Sequence, residues 1–557
     1  MKINITKKEL LNTLEEIADL LEFTGANQFK VRAYRNAVNA LRFVGDNFDE
    51  LIASGELLKV KGIGKGIFAT IKEFWEEGSS SELSELKKKV PEGIDDLLNI
   101  RGLGIKKLIL LSDKLNINSI EDLERAINSG TLNSIKGFGE KSIEKIRTEI
   151  ERIKTTKHLF YLDEAFEIAE SFKEKLLELS SVVKIELTGE LRRIREVISR
   201  IDLLVLINKE INSESLNEIF SPINFVTVNI EANVALLQLS RDDGKKIYLN
   251  VVSNELIFTK LNFTLTGSKE FVNNFEIPEN GISSERELFE NNNRLYVPAE
   301  MRESEFSSFF NKQGVESDLD FPGMKGMLHF HTIYSDGGNT LEEMVKTGLQ
   351  FGMEYFAVCD HSQSAYYANG LQPARLLLQK EEITAVKSKL GVPIFHGIES
   401  DILTNGNLDY PDEILSEFDF IIASVHSNFT LDEEAMTQRI IKAVESPYTN
   451  ALGHPTGRIL LRRDGYKLNI KKVIDACVSN NVAIEINANP HRLDLDWRNY
   501  CYAREKGVKF TINADAHSTS HIEYTKYGVW IARKGGIKKE EVINYFPVNE
   551  FLKFCTK

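Results

Sequence analysis

Seven short apolar runs between residues 325 and 557 end in imidazole, carboxylate or amide side chains. MLHFH brings His329 and His331, with Asp336 just behind, and EYFAVCDH ends in Asp360 and His361. VPIFHGIES reaches Glu399, DFIIASVH ends in His426, and TNALGHP holds His454. VAIEINAN carries Glu485 and Asn487, and KFTINADAH ends in Asp515 and His517. Imidazole and carboxylate together suit Mn²⁺, Zn²⁺ or Fe²⁺ better than Mg²⁺ alone. Six histidines and three acids exceed the needs of one ion and suit a cluster of two or three. Two divalent ions about 3.5–4 Å apart hold both the attacking and the leaving oxygen of a phosphoester. A single histidine at a strand end is most often an ordinary buried polar residue. Here six of the ten histidines in the chain fall at such ends, while His158, His396, His491 and His521 fall outside the set.

For these side chains to meet, the runs must lie side by side. They alternate with helical stretches, which is the pattern of parallel βα units. In a βα barrel the C-terminal strand edge gathers residues that are far apart in sequence. Upstream, residues 160–312 mix helices with β-rich runs such as VVKIELTG, IDLLVLI, VALLQLS and KKIYLNVV, an α+β pattern. Residues 313–324, QGVESDLDFPGM, combine Gly, Pro and acids and read as a linker. Residues 1–155 show three- and four-residue apolar spacing and read as helical.

That helical part contains a repeat of the form hydrophobic-x-Gly-hydrophobic-Gly. Its copies are Val60–Gly64 with Gly62 and Gly64, Ile100–Gly104 with Gly102 and Gly104, and Ile135–Gly139 with Gly137 and Gly139. Each precedes a lysine-containing helical run. Glycine permits the tight turn, and the following helix N-terminus offers free N–H groups to a phosphate. This is the helix-hairpin-helix signature of sequence-independent contact with a DNA backbone. The segment QFKVRAYRNAVNALRFV adds Lys30, Arg32, Arg35 and Arg42 with no acid among them, and reads as a second DNA-facing element.

The motifs HFH, SDG, CDHS, GIESDIL, SVHSN, GHPTGR, EINANPHRLDL and NADAHS follow one another in the order of a PHP (polymerase and histidinol phosphatase) domain. With FKVRAYRNA, TGSK at 266–269 and RLYVPAEMRE at 295–304, the whole chain resembles a bacterial family X DNA polymerase carrying a C-terminal PHP domain. The resemblance implies an 8-kDa-like DNA-binding domain over 1–90, helix-hairpin-helix fingers over 91–155 and a nucleotidyltransferase-like palm over 156–258. It further implies a thumb over 259–312 and a distorted seven-stranded βα barrel over 325–557. It implies a trinuclear, Mn²⁺-stimulated site held by His329, His331, Asp336, His361, Glu399, His426, His454, Asp515 and His517. Of these, His329, His331, Glu399 and Asp515 are the candidates for deep or bridging ligands, and Asp360 and His491 for orienting ligands or moving protons.

One part of the resemblance fails. Family X palms use a Gly-Ser turn and three carboxylates, two of them in Gly-Asp-hydrophobic-Asp. This chain has Gly189-Glu190 at the turn and Ser199-Arg200-Ile201-Asp202 at the carboxylate pair. Tyr248 stands at the third carboxylate, and Thr264-Leu265 replace the aromatic pair before TGSK. One acid and one guanidinium replace three acids, so Mg²⁺ affinity should collapse. Glu196, Asp242 and Asp243 are the nearby acids that a different alignment makes available. Lys269, Arg192 and Arg193 remain as holders of DNA phosphate.

The 557 residues carry a net charge of −14, 32 Phe and 16 Tyr. An aromatic-rich chain of this length folds rather than staying disordered, and no apolar run is long enough for a membrane span. The four scattered cysteines fit a reducing cytoplasm and argue against a disulfide scaffold. The expectation is a metal-dependent 3′→5′ exonuclease or phosphoesterase of DNA repair, acting on gapped, nicked or 3′-ended DNA, with a palm that is inactive or severely impaired. A working gap-filling polymerase and a non-catalytic DNA-end scaffold are the alternatives.

Overall fold

The computed structural model describes residues 7–556 apart from 43, 45–47, 92, 99, 101, 224, 232, 241–243 and 305–316. Asp242, Asp243, Arg101 and the first residues of the linker therefore lie outside the described residues. The chain divides into two units, Met1–Thr156 and Lys157–Lys557.

Helices and short 3₁₀ turns account for all the regular structure described in the first unit. Leu14, Ile17, Leu41, Ile71, Leu108 and Leu111, all but inaccessible to solvent, form its core. Gly62, Gly102 and Gly137 adopt φ values of +108°, +83° and +100°. Only glycine takes this backbone routinely, which is why the repeat needs it at these three points. Gly64 and Gly104 then cap the helices Lys65–Glu77 and Ile105–Leu115. Ile63, Leu103 and Phe138, between the paired glycines, are buried and anchor each turn.

The second unit begins with a short ribbon of β1 (Phe160–Tyr161) and β3 (Val197–Ile198). A five-stranded sheet follows, built from β2 (Val182–Leu187), β4 (Ile201–Ile207), β5 (Val226–Glu231), β6 (Val234–Ser240) and β7 (Lys246–Val252). Its order is β2-β4-β7-β6-β5, with β4 and β7 parallel and the other pairs antiparallel. Every residue of β4 is buried. A strand buried at every position, apolar here except for Asp202, is covered on both faces. The register sets Asp202 opposite Tyr248.

Seven parallel strands form the C-terminal half: β8 (Gly326–Met327), β9 (Tyr355–Val358), β10 (Ile394–Asp401), β11 (Phe420–Ser424), β12 (Ala451–Leu452), β13 (Ala483–Asn487) and β14 (Phe510–Asn513). They are hydrogen-bonded in sequence order, and a parallel bridge between Phe330 and Ala516 nearly closes the ring. Helices such as Leu341–Gln350, with a Thr340/Glu343 capping box, connect consecutive strands. Leu328, Ala357, Phe395, Phe420, Phe551 and Phe554 share one buried cluster. A fully buried Phe is worth about 2–3 kcal/mol, so the helix Val548–Cys555 is firmly seated on the barrel.

Candidate metal centre

The strands deliver their polar residues at or just beyond their C-terminal ends. His329 and His331 follow β8, His361 follows β9, Glu399 lies within β10, and His426 and His454 sit two residues past β11 and β12. Asp515 and His517 follow β14. A parallel bridge pairs His361 with Glu399, so adjacent strands present adjacent ligands. All nine side chains predicted from the sequence converge. Glu399 stands in the middle, 3.6 Å from His329 Nε2, 2.8 Å from His361 Nδ1, 3.3 Å from His426 Nε2 and 3.0 Å from His454 Nε2. Asp515 lies 3.0 Å from His331 Nε2 and 3.6 Å from His329 Nε2. Asp336 lies 3.6 Å from His361 and 3.3 Å from His517.

The donor atoms fall into three groups, each within 4.8 Å: His331, Asp336, His361 and His517; His329, His331 and Asp515; His361, Glu399 and His426. Buried polar atoms are normally hydrogen-bonded, yet His329 Nε2, His361 Nδ1 and Glu399 Oε2 have no such partner among the described residues. All three are Lewis bases turned into one space. That donor set fits divalent cations.

Outer partners set the ring orientations. Glu485 lies 2.6 Å from His329 Nδ1, Asp401 lies 2.5 Å from His426 Nδ1, and the Asp515 carbonyl lies 2.8 Å from His517 Nδ1. Tying up Nδ1 leaves Nε2 as the ligand atom. Glu485 is itself held by Asn513 and by the backbone N–H of His454. His454 and Asp515 adopt positive φ, +23° and +52°. Such strain persists only where surrounding contacts over-determine it. Burial, with His517 and His361 adding to it, pushes His331 down to about 3, so its ring is neutral. Burial opposes ionisation of Glu399, but His426, His361 and His329 overcome it and hold the carboxyl well below its ordinary range.

Asp360, expected to orient or transfer protons, is fully buried. Its carboxylate accepts from Thr332 N–H and Oγ1, from Ser335 N–H and Oγ, and from Gln379. With its oxygens so occupied it anchors the loop between His331 and Asp336. His491, also expected to orient ligands or move protons, stacks on Tyr161 of β1, ring centres 4.2 Å apart. The ligand list from sequence omitted Glu485 and Asp401. Asp401 was legible in principle, two residues beyond Glu399 on the same face of β10. Arg492, 3.9 Å from Asp515 Oδ2, also escaped notice; no spacing rule marks it.

The five-stranded sheet carries the departures from the palm pattern. Arg200 Nε lies 2.8 Å from Asp202 Oδ2, and its guanidinium sits over the Tyr248 ring at 4.8 Å. Glu190 accepts from Ser199 N–H at 2.6 Å and Ser199 Oγ at 2.8 Å. Burial raises the Asp202 carboxyl, against the pull of Arg200. An open cavity of about 200 Å³ remains, lined by Glu190, Arg193, Arg200 and Asp202. Glu196 does not enter it, because its carboxylate bonds Trp497 and Arg498. Arg192 and Arg193 are also internal, bound to Glu285, Glu303 and the Thr266 region. The expectation that they hold DNA phosphate is therefore corrected, and Lys269 alone of the three is exposed.

In the first unit the basic helix Gln28–Arg42 leaves Lys30, Arg32 and Arg35 exposed. Lys30 meets Glu82, and Arg35 meets Asp19 and Glu22 at 2.8 and 2.7 Å. Acids from neighbouring helices, invisible in the local sequence, thus occupy two of the cations expected to face DNA.

Comparison with known proteins agrees with this architecture. Residues 5–80 match a helix-hairpin-helix domain, 94–152 a SAM-like helix-hairpin-helix tandem, and 327–489 the PHP domain. The barrel region is 29% identical to a probable phosphatase of Thermoanaerobacter over 40% of this chain and 93% of that protein. It is 31% identical to a probable phosphatase of Acetivibrio thermocellus over 34% of this chain and 78% of that one. The DNA polymerase/3′-5′ exonuclease PolX of Bacillus subtilis is 34% identical over 97% of both chains. A likeness that runs unbroken through helical region, mixed sheet and barrel cannot come from one shared module, and the chain belongs to the PolX family of bacterial family X DNA polymerases with a C-terminal PHP domain.

Proposed function

We propose that this protein is a DNA-end-processing 3′→5′ exonuclease or phosphoesterase that uses two or three divalent cations, Mn²⁺ foremost, and that its palm does not add nucleotides. The observation that carries the first half is the convergence of nine candidate ligand side chains, with unpartnered buried atoms on His329, His361 and Glu399. Cations bound there supply Lewis-acid activation of water and neutralise phosphoryl charge. The chain's own residues do the positioning. Glu485 and Asp401 fix the rings of His329 and His426, and Asp360 fixes the loop that carries His331 and Asp336. Asp336 and His517 are the most exposed members, with side chains 34% and 30% accessible, so phosphate enters on their side. DNA is the substrate class that fits the three glycine hairpins of the helical unit and the named activity of the Bacillus relative.

The second half rests on Arg200. Its Nε bonds one carboxylate oxygen of Asp202, the one acid left of the three-carboxylate set, and supplies there positive charge that Mg²⁺ would otherwise bring. The test uses a 5′-labelled primer in a one-nucleotide gapped duplex with Mn²⁺, with and without dNTPs. Shortening in both conditions is expected. Lengthening that depends on dNTPs would show a working palm, as the name of the Bacillus relative suggests, and would overturn the second half.

A further inference from the structure

Beside the ligand cluster the chain exposes two aromatic rings in succession. Tyr366 is 83% accessible and Tyr367 71%. The Tyr367 ring centre lies 6.0 Å from that of His361 and 6.4 Å from that of His426. Ile333, 51% exposed, adds a further apolar side chain from the loop after His331. Large rings left in water beside a reaction centre do not serve the core; an exposed apolar patch of this kind marks a binding surface.

The turn that carries them is built rigidly. Ser364 is fixed to Asp409 through its backbone N–H and its hydroxyl. Asn369 and Arg375 bond the carbonyl of Tyr334, and Arg375 also bonds the carbonyl of Asn369. At Gly370 a Cβ would come within 2.0 Å of the Ser362 carbonyl oxygen, so the chain closes tightly behind the two tyrosines. The rings are thus displayed on a fixed 3₁₀ turn, Tyr366–Ala368.

We propose that Tyr366 and Tyr367 form a stacking platform for the base of the 3′-terminal nucleotide of a DNA strand whose scissile phosphate lies at the histidine cluster. This rests on the reading of that cluster as a nuclease centre and names the part of the substrate it grips. A ring about one sugar's reach from the ligands can receive the base while the phosphate remains among them. Base–aromatic stacking is sequence-tolerant and is worth about 1–3 kcal/mol per base, so the platform selects an unpaired base-bearing end without reading its identity.

The experiment compares two 5′-labelled oligonucleotides of one sequence in Mn²⁺, one ending in an ordinary nucleotide and one in an abasic tetrahydrofuran residue. Wild-type protein should shorten the base-bearing end about ten- to a hundredfold faster. The double variant Tyr366→Ala/Tyr367→Ala should lose that preference while keeping its rate on the abasic end within about twofold. Tyr367→Phe, which keeps the ring, should retain the preference. A terminal 2-aminopurine titrated with protein in Ca²⁺ should be quenched by wild type and far less by the double variant. A wild type that shortens both ends alike, or a double variant slowed equally on both, overturns the platform and leaves the nuclease reading standing. A wild type that shortens neither end overturns the nuclease reading and the platform with it.

Discussion

Arg200 places its Nε 2.8 Å from the Asp202 Oδ2, so the palm holds its own counter-ion. Asp202 is paired in register with Tyr248, so the neighbouring strand offers it no second carboxylate, and Glu190, which lines the same cavity, is already bonded to Ser199. Replacing Arg200→Asp and Tyr248→Asp together should raise Mg²⁺ affinity at this site by about tenfold or more. Titration calorimetry with and without the palm substitutions, both in protein carrying His329→Ala and His331→Ala, reads the new site by difference. Unchanged affinity would mean that the palm lacks more than its carboxylates.

His329→Ala with His331→Ala removes donors from two of the three ligand groups. Shortening of a labelled 3′ end should fall by about a thousandfold or more, since the charge stabilisation that metal ions supply is worth several kcal/mol. Far-ultraviolet circular dichroism should show the helical unit intact. Persistence of cleavage in a pure preparation would remove the barrel from the reaction.

Glu485 touches the centre only through His329 Nδ1 and the neighbouring backbone and amides. Glu485→Gln keeps the shape and removes the charge. Loss of an outer carboxylate typically costs about 10- to 100-fold in metal affinity. Mn²⁺ titration of the variant checks this without reference to turnover.

Glu196 gives a pH signature. Burial opposes its ionisation, but Arg498 and the Trp497 N–H overcome this and hold the carboxyl down to about 2. A folded value below the unfolded one means that the stabilisation is complete above the ordinary value of 4.5 and fades as pH falls toward 2. By pH 3.5 this one group should account for about 1.4 kcal/mol of lost stability. Denaturant unfolding at pH 6 and pH 3.5 should show a smaller drop for Glu196→Gln than for wild type; an equal drop would place the acid sensitivity elsewhere.

The barrel and its ligands were legible because each short apolar run ends in the residue that matters: the strand that hides Ile422 and Ala423 leads directly to His426. The three glycine turns were legible for a similar reason, since their backbone admits little else. What the sequence concealed were partners from distant segments. Arg193 reads as a free cation until Glu303 arrives 110 residues later. Arg35 reads as DNA-facing until Asp19 and Glu22 pack beside it. The stacking of His491 on Tyr161, 330 positions earlier in the chain, has no local signal either. Tyr366 and Tyr367 carry no motif, and only their exposure beside His361 distinguishes them.

Lys534 lies wholly inside the second unit, its ammonium bonded to the Arg193 and Glu300 carbonyls and to the Glu303 carboxylate, over the Trp497 ring. Burial draws it down to about 8. The lysine and the indole belong to the barrel, and the oxygens that satisfy the lysine belong to the segment before residue 305. A fragment cut at the linker would therefore carry an unneutralised ammonium and an uncovered tryptophan on one side, and stranded carboxylates on the other. The linker that the sequence suggests at residues 313–324 is thus bridged by buried polar contacts inside one compact unit. Cut free as it stands, this chain's barrel would first need those groups replaced, and so would its sheet.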